Sequence, residues 1–354
     1  MKLNRSQLIE CLDKVWPAVG KNALIPKYQS FSFCGNHVQA TGGALWIDTP
    51  LPEGIEITAC VDAEPLYTLL RGMNHEEIDL TVEEGKLTIS AARPKVSSEF
   101  VLWDMCPTAV PEVGGSISLT NLEDVIRGLE FCRFGASRDE TMGALCGVRI
   151  DRDTLWASDR YRILRWNLAE PIDLVCSLPI KFLERIVKTH NQVVAMDFVG
   201  EAITGGSLNI KFEDGTVMWG LTLTGEYRDM AAFFPDSAEA EIIRLDSTFP
   251  DAMERHLAFL KDVAAIDKEV AFSIDETECR THGQKTTSGK RLQRKLDEVT
   301  PLEQGRDGPQ FEFRINPALV KDIMGLCWEF KFFPSATVVL FETPKFQYLV
   351  QTRG

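Results

Sequence analysis

The chain alternates between two hydrophobic periods. At six places a polar residue opens a stretch whose apolar positions recur every three or four residues, the spacing that lines one face of a helix. These stretches are NRSQLIECLDKV from Asn4, DAEPLYTLLRGM from Asp62, TNLEDVIRGLEF from Thr120, SLPIKFLERIVK from Ser177, DSTFPDAMERHLAFL from Asp246 and NPALVKDIMGLC from Asn316. Each begins on Asn, Asp, Thr or Ser, whose side-chain oxygen can accept from the free amides of a first turn. Four carry proline in or near that turn, where a missing N–H loses no hydrogen bond. The starts lie 58, 58, 57, 69 and 70 residues apart, so the helices mark an internal repeat.

Between the helices the period falls to two, the signature of strands. Residues 77–91 (EIDLTVEEGKLTISA) and 207–223 (SLNIKFEDGTVMWGLTL) read as hairpins, turning at Glu-Glu-Gly and at Asp214-Gly215. One helix with about four strands forms the repeat unit, and two units make a domain. The 354 residues are then three similar domains in tandem, 1–114, 115–237 and 238–354, with Pro- and Gly-bearing boundaries at 107–115 and 235–241. Short helices over antiparallel sheets define an α+β class.

Composition narrows the function. With 44% hydrophobic and 25% charged residues the chain is globular rather than mainly disordered. No apolar run reaches the roughly 18 to 20 residues a membrane span needs, and the start lacks the apolar centre of a secretory signal, so a cytoplasmic protein with no membrane partner is expected. Nine cysteines, an odd number scattered without a CxxC, read as reduced thiols packed as small hydrophobes. The net charge of −14 argues against a general affinity for nucleic acid unless the basic residues are segregated onto one surface.

Catalytic signals are weak. The five histidines have no metal-ligand spacing. Asp151 and Asp153 form a lone D-x-D that fits a hairpin turn before Thr154, although a metal-dependent nuclease would use such carboxylates. Neither G-x-S-x-G nor GxGxxG occurs, and the stretch from Gly283 to Lys290 is one residue too long for a Walker loop, with Arg291 where Mg²⁺ needs Ser or Thr. No catalytic residue, metal or cofactor is expected. The segment 279–295 gathers Arg280, Lys285, Lys290, Arg291, Arg294 and Lys295 in an acidic chain, as either a solvated loop or a contact for DNA or a partner.

Several short stretches, in order, resemble the bacterial DNA polymerase beta sliding clamp. Residues 157–163, ASDRYRI, are similar to that family's A-T-D-G-H-R-L, and 70–73, LRGM, to its C-R-G-L. Gly225-Glu226-Tyr227-Arg228-Asp229 through Phe234-Pro235 resembles G-x-F-P-D-Y and the proline after it, and Tyr348-Leu349-Val350 leads into an ending similar to Y-V-V-M-P-M-R-L. The resemblance spans essentially the whole chain. It implies three clamp-type domains joined head to tail as a homodimeric ring, a processivity factor in DNA replication that encircles double-stranded DNA and has no catalytic site.

Its partners would be a DNA polymerase and a clamp loader, held through linear peptide motifs. An inner wall of helices would carry the DNA-facing cations: Lys21, Arg71, Arg127, Arg133, Arg138, Lys181, Arg185, Lys188, Lys261 and Lys321. Lys181, Arg185 and Lys188, at i, i+4 and i+7, share one helical stripe. For each cation the alternative is an ordinary solvated helix face.

Carried over by position, the peptide pocket comprises Leu145, Ser158, Arg160, Tyr161, Arg162, Ile163, Pro235, Leu349, Val350, Gln351 and Thr352. Tyr161 is either a peptide contact or an ordinary half-buried aromatic. Arg160 stands where the family has Gly, and the tail Gln351-Thr352-Arg353-Gly354 is shorter and more polar than the family ending, so the tail is expected to contribute little and peptide preference to differ. The dimer interface would use Phe100 and Leu102 on an edge strand, facing Leu260 and Val263. The alternatives are a clamp-like decoy that regulates clamp partners and, from another class, a metal-dependent DNA-processing hydrolase using Asp151 and Asp153.

Overall fold

The computed structural model describes every residue except 21–24, 93, 105–107, 119, 190–191, 202, 237–239, 265–266, 287–292, 307–309, 322, 324 and 354, with the side chains of Pro26, Lys188, Thr189, Thr286 and Gln293 also outside the description. Six α-helices among the described residues fall one in each anticipated stretch: α1 (Arg5–Val15), α2 (Ala63–Gly72), α3 (Leu122–Cys132), α4 (Ile180–Thr189), α5 (Phe249–Phe259) and α6 (Pro317–Val320). Two caps work as their chemistry requires, the Asn4 side chain accepting from the Gln7 amide at 3.1 Å and Asn316 from the Ala318 amide at 3.0 Å. Asp62 caps nothing; its carboxylate accepts from the Trp103 indole at 2.8 Å.

The chain forms two compact units. The first is Met1–Ile126 with Ile172–Gly225. Its larger sheet has seven antiparallel strands in the order Val193–Glu201, Gly205–Phe212, Val217–Leu221, Leu45–Pro50, His37–Thr41, Ser30–Gly35 and Ile57–Asp62. A four-stranded sheet runs Lys2–Asn4, Glu77–Glu83, Lys86–Ala91, Val96–Val101. Leu8, Leu12 and Val15 of α1 and Leu66 and Leu70 of α2 are buried, one stripe per helix, as the three- and four-residue spacing requires. Both anticipated hairpins are present. Glu84 and Gly85 turn the first with φ of 50° and 73°, and Gly215 turns the second at 83°, with the Asp214 carboxylate accepting from the Thr216 amide at 2.9 Å.

The second unit is Arg127–Pro171 with Glu226–Gly354. Its main run of strands is Gly147–Asp151, Thr154–Ser158, Arg162–Asn167, Phe346–Gln351, Val338–Glu342, Glu329–Phe333 and Glu241–Arg244. A second sheet orders Gln293–Pro301, Glu278–Thr286, Val270–Ile274 and Phe311–Ile315. Phe272, Phe313, Phe332 and Phe311 stack in succession with centroids 4.9, 4.8 and 4.7 Å apart, a packed aromatic column within this core. The helix repeat and compactness divide the chain differently. Strands at 193–221 pair into the first unit, and strands at 147–167 into the second, because antiparallel ladders tie them to Leu45–Pro50 and to Phe346–Gln351.

One buried histidine should make the second unit acid-sensitive. His256 on α5 is fully enclosed, with Nε2 2.9 Å from the Thr281 hydroxyl and Nδ1 without a hydrogen-bond partner among the described residues. Gly283 permits this packing, since a Cβ there would lie 2.6 Å from Nδ1. Burial lowers the imidazole pKa from its ordinary 6.5; the carboxylates of Glu298 and Asp297 oppose the shift, and Arg255 and His282 reinforce it. A group depressed in the fold binds its proton first in the unfolded chain, so stability is present above pH 6.5 and falls as pH drops below it, by at most about 1.4 kcal/mol per pH unit. Calorimetry between pH 7.5 and 5 should show this fall, and His256→Gln should remove it.

Candidate functional site

The stretch most like the clamp family, residues 157–163, turns between two neighbouring strands. Asp159 builds the turn: Oδ1 accepts from the amides of Tyr161 (3.1 Å) and Arg162 (3.2 Å), and Oδ2 takes Arg162 Nε at 3.0 Å. The Ser158 hydroxyl accepts from the Arg160 amide at 3.3 Å. Arg160 occupies the left-handed region at φ 77°, a conformation that suits the glycine found there in the resembling family. Arg162 is a strut: its guanidinium also donates to the Tyr348 hydroxyl at 2.9 Å and to the Phe134 carbonyl. The Tyr348 hydroxyl in turn donates to the Leu319 carbonyl.

This turn divides the anticipated wall between two clefts. Ile163 pairs with Leu349 across the sheet and Arg162 with Val350, so alternation sends the two pairs to opposite faces. The first cleft, about 560 Å³, takes Leu145, Ser158, Arg160 and Ile163 together with Met230 and Phe233, with Glu226 and Arg228 also in its lining. Beneath it Ile163, Met230 and Leu349 belong to an apolar cluster with Trp156, Phe333 and Leu340. The second cleft, about 580 Å³, is lined by Tyr161, Arg162 and Gln351 with Leu319, Lys268, Glu269, Arg314 and Arg353. Tyr161, 40% exposed, stands at its edge.

Four residues of the anticipated wall are absent from the lining of both clefts. Val350 and Thr352 are buried and line neither cleft, Leu349 is core beneath the first, and half-buried Pro235 lines neither. Strand Phe346–Gln351 lies between two others, so both its edges are paired, and the burial of the consecutive residues Tyr348, Leu349 and Val350 shows that both its faces are covered as well. The tail is also woven into the unit by its backbone. The Gln351 amide donates to the Tyr161 carbonyl (2.9 Å), Thr352 to Thr337 (2.8 Å), and Arg353 and Arg314 exchange two backbone bonds of 2.8 Å. Met230, Phe233 and Arg228 lie in the stretch 225–235 already singled out, yet their chemistry gave no sign of lining a cleft. Lys268, Glu269 and Arg314 carried no local signal at all.

The DNA-facing candidates differ in exposure and surroundings. Arg71 is bonded to Asp13 at 2.8 Å and lies 4.7 Å from the Tyr67 ring. Arg185 is half-buried near the Asp214 carboxylate, its pKa lowered by burial and supported by that charge. Arg133 is half-buried, 5.1 Å from the Phe134 ring and 4.0 Å from Glu130. Arg127, Arg138, Lys181, Lys261 and Lys321 are exposed. Lys21 and the Lys188 side chain lie outside the described residues. In the basic hairpin, Lys285 donates to the Phe259 carbonyl at 2.7 Å and Arg280 to Glu278 at 2.6 Å, so these two cations are engaged within the unit. Lys290 and Arg291 lie outside the described residues.

At the anticipated interface, Val96–Val101 is an edge strand, as expected. Phe100 pairs with buried Leu87 and is itself half-buried, as is Leu102; the apolar side chain open to solvent on this strand is Val101, at 72%. Leu260 is 1% exposed, enclosed by its own unit and closed to a partner, while Val263 is half-buried. A residue outside the anticipated set, Val299, is 58% exposed on the edge strand Gln293–Pro301.

The chain has the fold of the bacterial sliding clamps. Its structure matches the Caulobacter crescentus beta sliding clamp with a TM-score of 0.81 over 100% of this chain and 98% of that one, at 18% identity. It matches the Bartonella birtlesii DnaN sliding clamp bound to griselimycin with 0.81 over 100% and 99%, at 16% identity. The Bacillus subtilis DNA polymerase sliding clamp gives 0.78 over 100% and 98%, at 17% identity. No family model matches the sequence, and no curated protein matches it. Among the described residues no helix is long and apolar enough to cross a membrane.

Proposed function

We propose that this chain is a sliding clamp: a homodimeric ring of three domains per subunit (1–114, 115–237, 238–354) that encircles duplex DNA in the cytoplasm. It would hold a polymerase and a loader by linear peptides and have no catalytic site of its own. The likeness of fold over the full length carries this proposal. The two clefts flanking the Asp159 turn support the peptide site, since concave, largely apolar surfaces with a few polar groups suit short peptides. A tether held by topology needs only loose phosphate contacts, which the exposed cations Arg127, Arg138, Lys181, Lys261 and Lys321 can supply.

The expected result is retention on nicked circular DNA after loading, and loss when the circle is cut, because a sliding ring leaves by a free end. Equal retention on circular and linear DNA would contradict encirclement. A second reading, a decoy that takes up clamp partners without working on DNA, draws on the compensation of Arg71 by Asp13 and on Asp214 beside Arg185. It predicts peptide binding with no retention on either form.

A further inference from the structure

The second cleft has an excess of positive charge in an acidic protein. Lys268, Arg314 and Arg353 line it against one carboxylate, Glu269, apart from the internal Arg162–Asp159 pair. Glu269 serves both arginines. It bonds Arg353 directly but lies 3.9 Å from Arg314, beyond hydrogen-bond reach. Both arginine side chains are more than half exposed, and Lys268 has no partner among the described residues. The paired backbone bonds between Arg314 and Arg353 hold the two residues side by side, so both guanidinium groups start from neighbouring points on the cleft wall. Beside them Leu319, Ala318, Ile315 and Tyr161 give the cleft an apolar side.

We propose that the second cleft selects acidic partners: a peptide lays an aspartate or glutamate carboxylate on Arg314 and Arg353, next to an apolar residue against Leu319 and Tyr161. It rests on the reading of the clefts as a peptide site. The planar, multi-donor guanidinium fits a carboxylate by two parallel N–H bonds, and Arg314 has donors to spare because Glu269 does not reach it. A nucleic-acid phosphate would satisfy the charge equally, but the apolar lining gives a phosphate backbone nothing to bury, whereas a peptide's own side chains fill it. The first cleft does not make this selection. There Arg160 lies 3.7 Å from Asp139, and Arg228 shares the lining with Glu226, so the charges balance.

The test uses the full chain and two fluorescein-labelled synthetic dodecapeptides with the same Leu-Leu pair, one flanked by aspartates and one by lysines, read by fluorescence anisotropy. The aspartate peptide should bind at least tenfold tighter at low salt, and Arg314→Glu should remove that preference or reverse it. Arg314→Gln should give an intermediate result, and both variants should keep the parent melting temperature, since the side chain is exposed. Equal binding of the two peptides, weakened by Phe233→Asp in the first cleft, would overturn the charge selection and leave the peptide site standing. Binding of neither peptide at 100-fold excess would overturn both. A single-stranded oligonucleotide that displaces the aspartate peptide and is itself lost in Arg314→Glu would assign the cleft to nucleic acid and overturn the proposal.

Discussion

If the chain forms the ring proposed above, Val101→Asp and Val299→Asp should each convert its dimer of twice 39.7 kDa into the 39.7 kDa subunit. Edge strands present a row of unpaired N–H and C=O groups, and proteins usually blunt them with charge, proline or a bulge. Here Val96–Val101 and Gln293–Pro301 are each the outer strand of a four-stranded sheet, and each exposes a valine. Joining two such edges extends a ladder and buries the valines. Replacing one valine by aspartate forfeits about 2 kcal/mol of apolar burial and adds the cost of desolvating a carboxylate, so a loss of at least about 3 kcal/mol, more than 100-fold in Kd, is expected. Because both residues are open to solvent in the single chain, the variants should fold normally. Sedimentation that finds both variants still dimeric at micromolar concentration would place the joint elsewhere.

The local parts of this fold were legible because they obey local rules. Asn4 and Asn316 could be picked as helix starts because their side chains must accept an amide within two or three residues, and Asp214-Gly215 as a turn because glycine reaches φ 83° without strain. Whether Ile163 and Val350 share a cleft is a different kind of question. It depends on the register between strands far apart in sequence, and one residue's shift sends a side chain to the other face. A wall assigned by position in the sequence therefore has members that point both ways. Leu260 differs from expectation for a related reason: an apolar residue at the end of a helix can face a partner or its own core, and periodicity does not say which.

Burial also changes what Ile163→Asp would report. From the sequence this substitution should weaken peptide binding by roughly tenfold and leave the ring intact. In the structure Ile163 is 9% exposed and packs in the cluster with Trp156, Met230, Phe333, Leu340 and Leu349. An aspartate there loses about 2 to 3 kcal/mol of apolar burial and places an unpaired carboxylate against Trp156 and Leu349, for a total of about 4 kcal/mol. The melting temperature of the second unit should fall by roughly 10 °C. Such a carboxyl has its pKa raised, so it stays protonated more readily in the fold than in the open chain, and the deficit should shrink as pH drops from 7 toward 5. Phe233→Asp makes the control: Phe233 lines the same cleft but is exposed, so its substitution should leave melting within a degree or two and act on binding alone. Calorimetry showing equal melting for the parent and Ile163→Asp would mean that the floor of the first cleft yields easily to a charged side chain, and the packed cluster would no longer account for its shape.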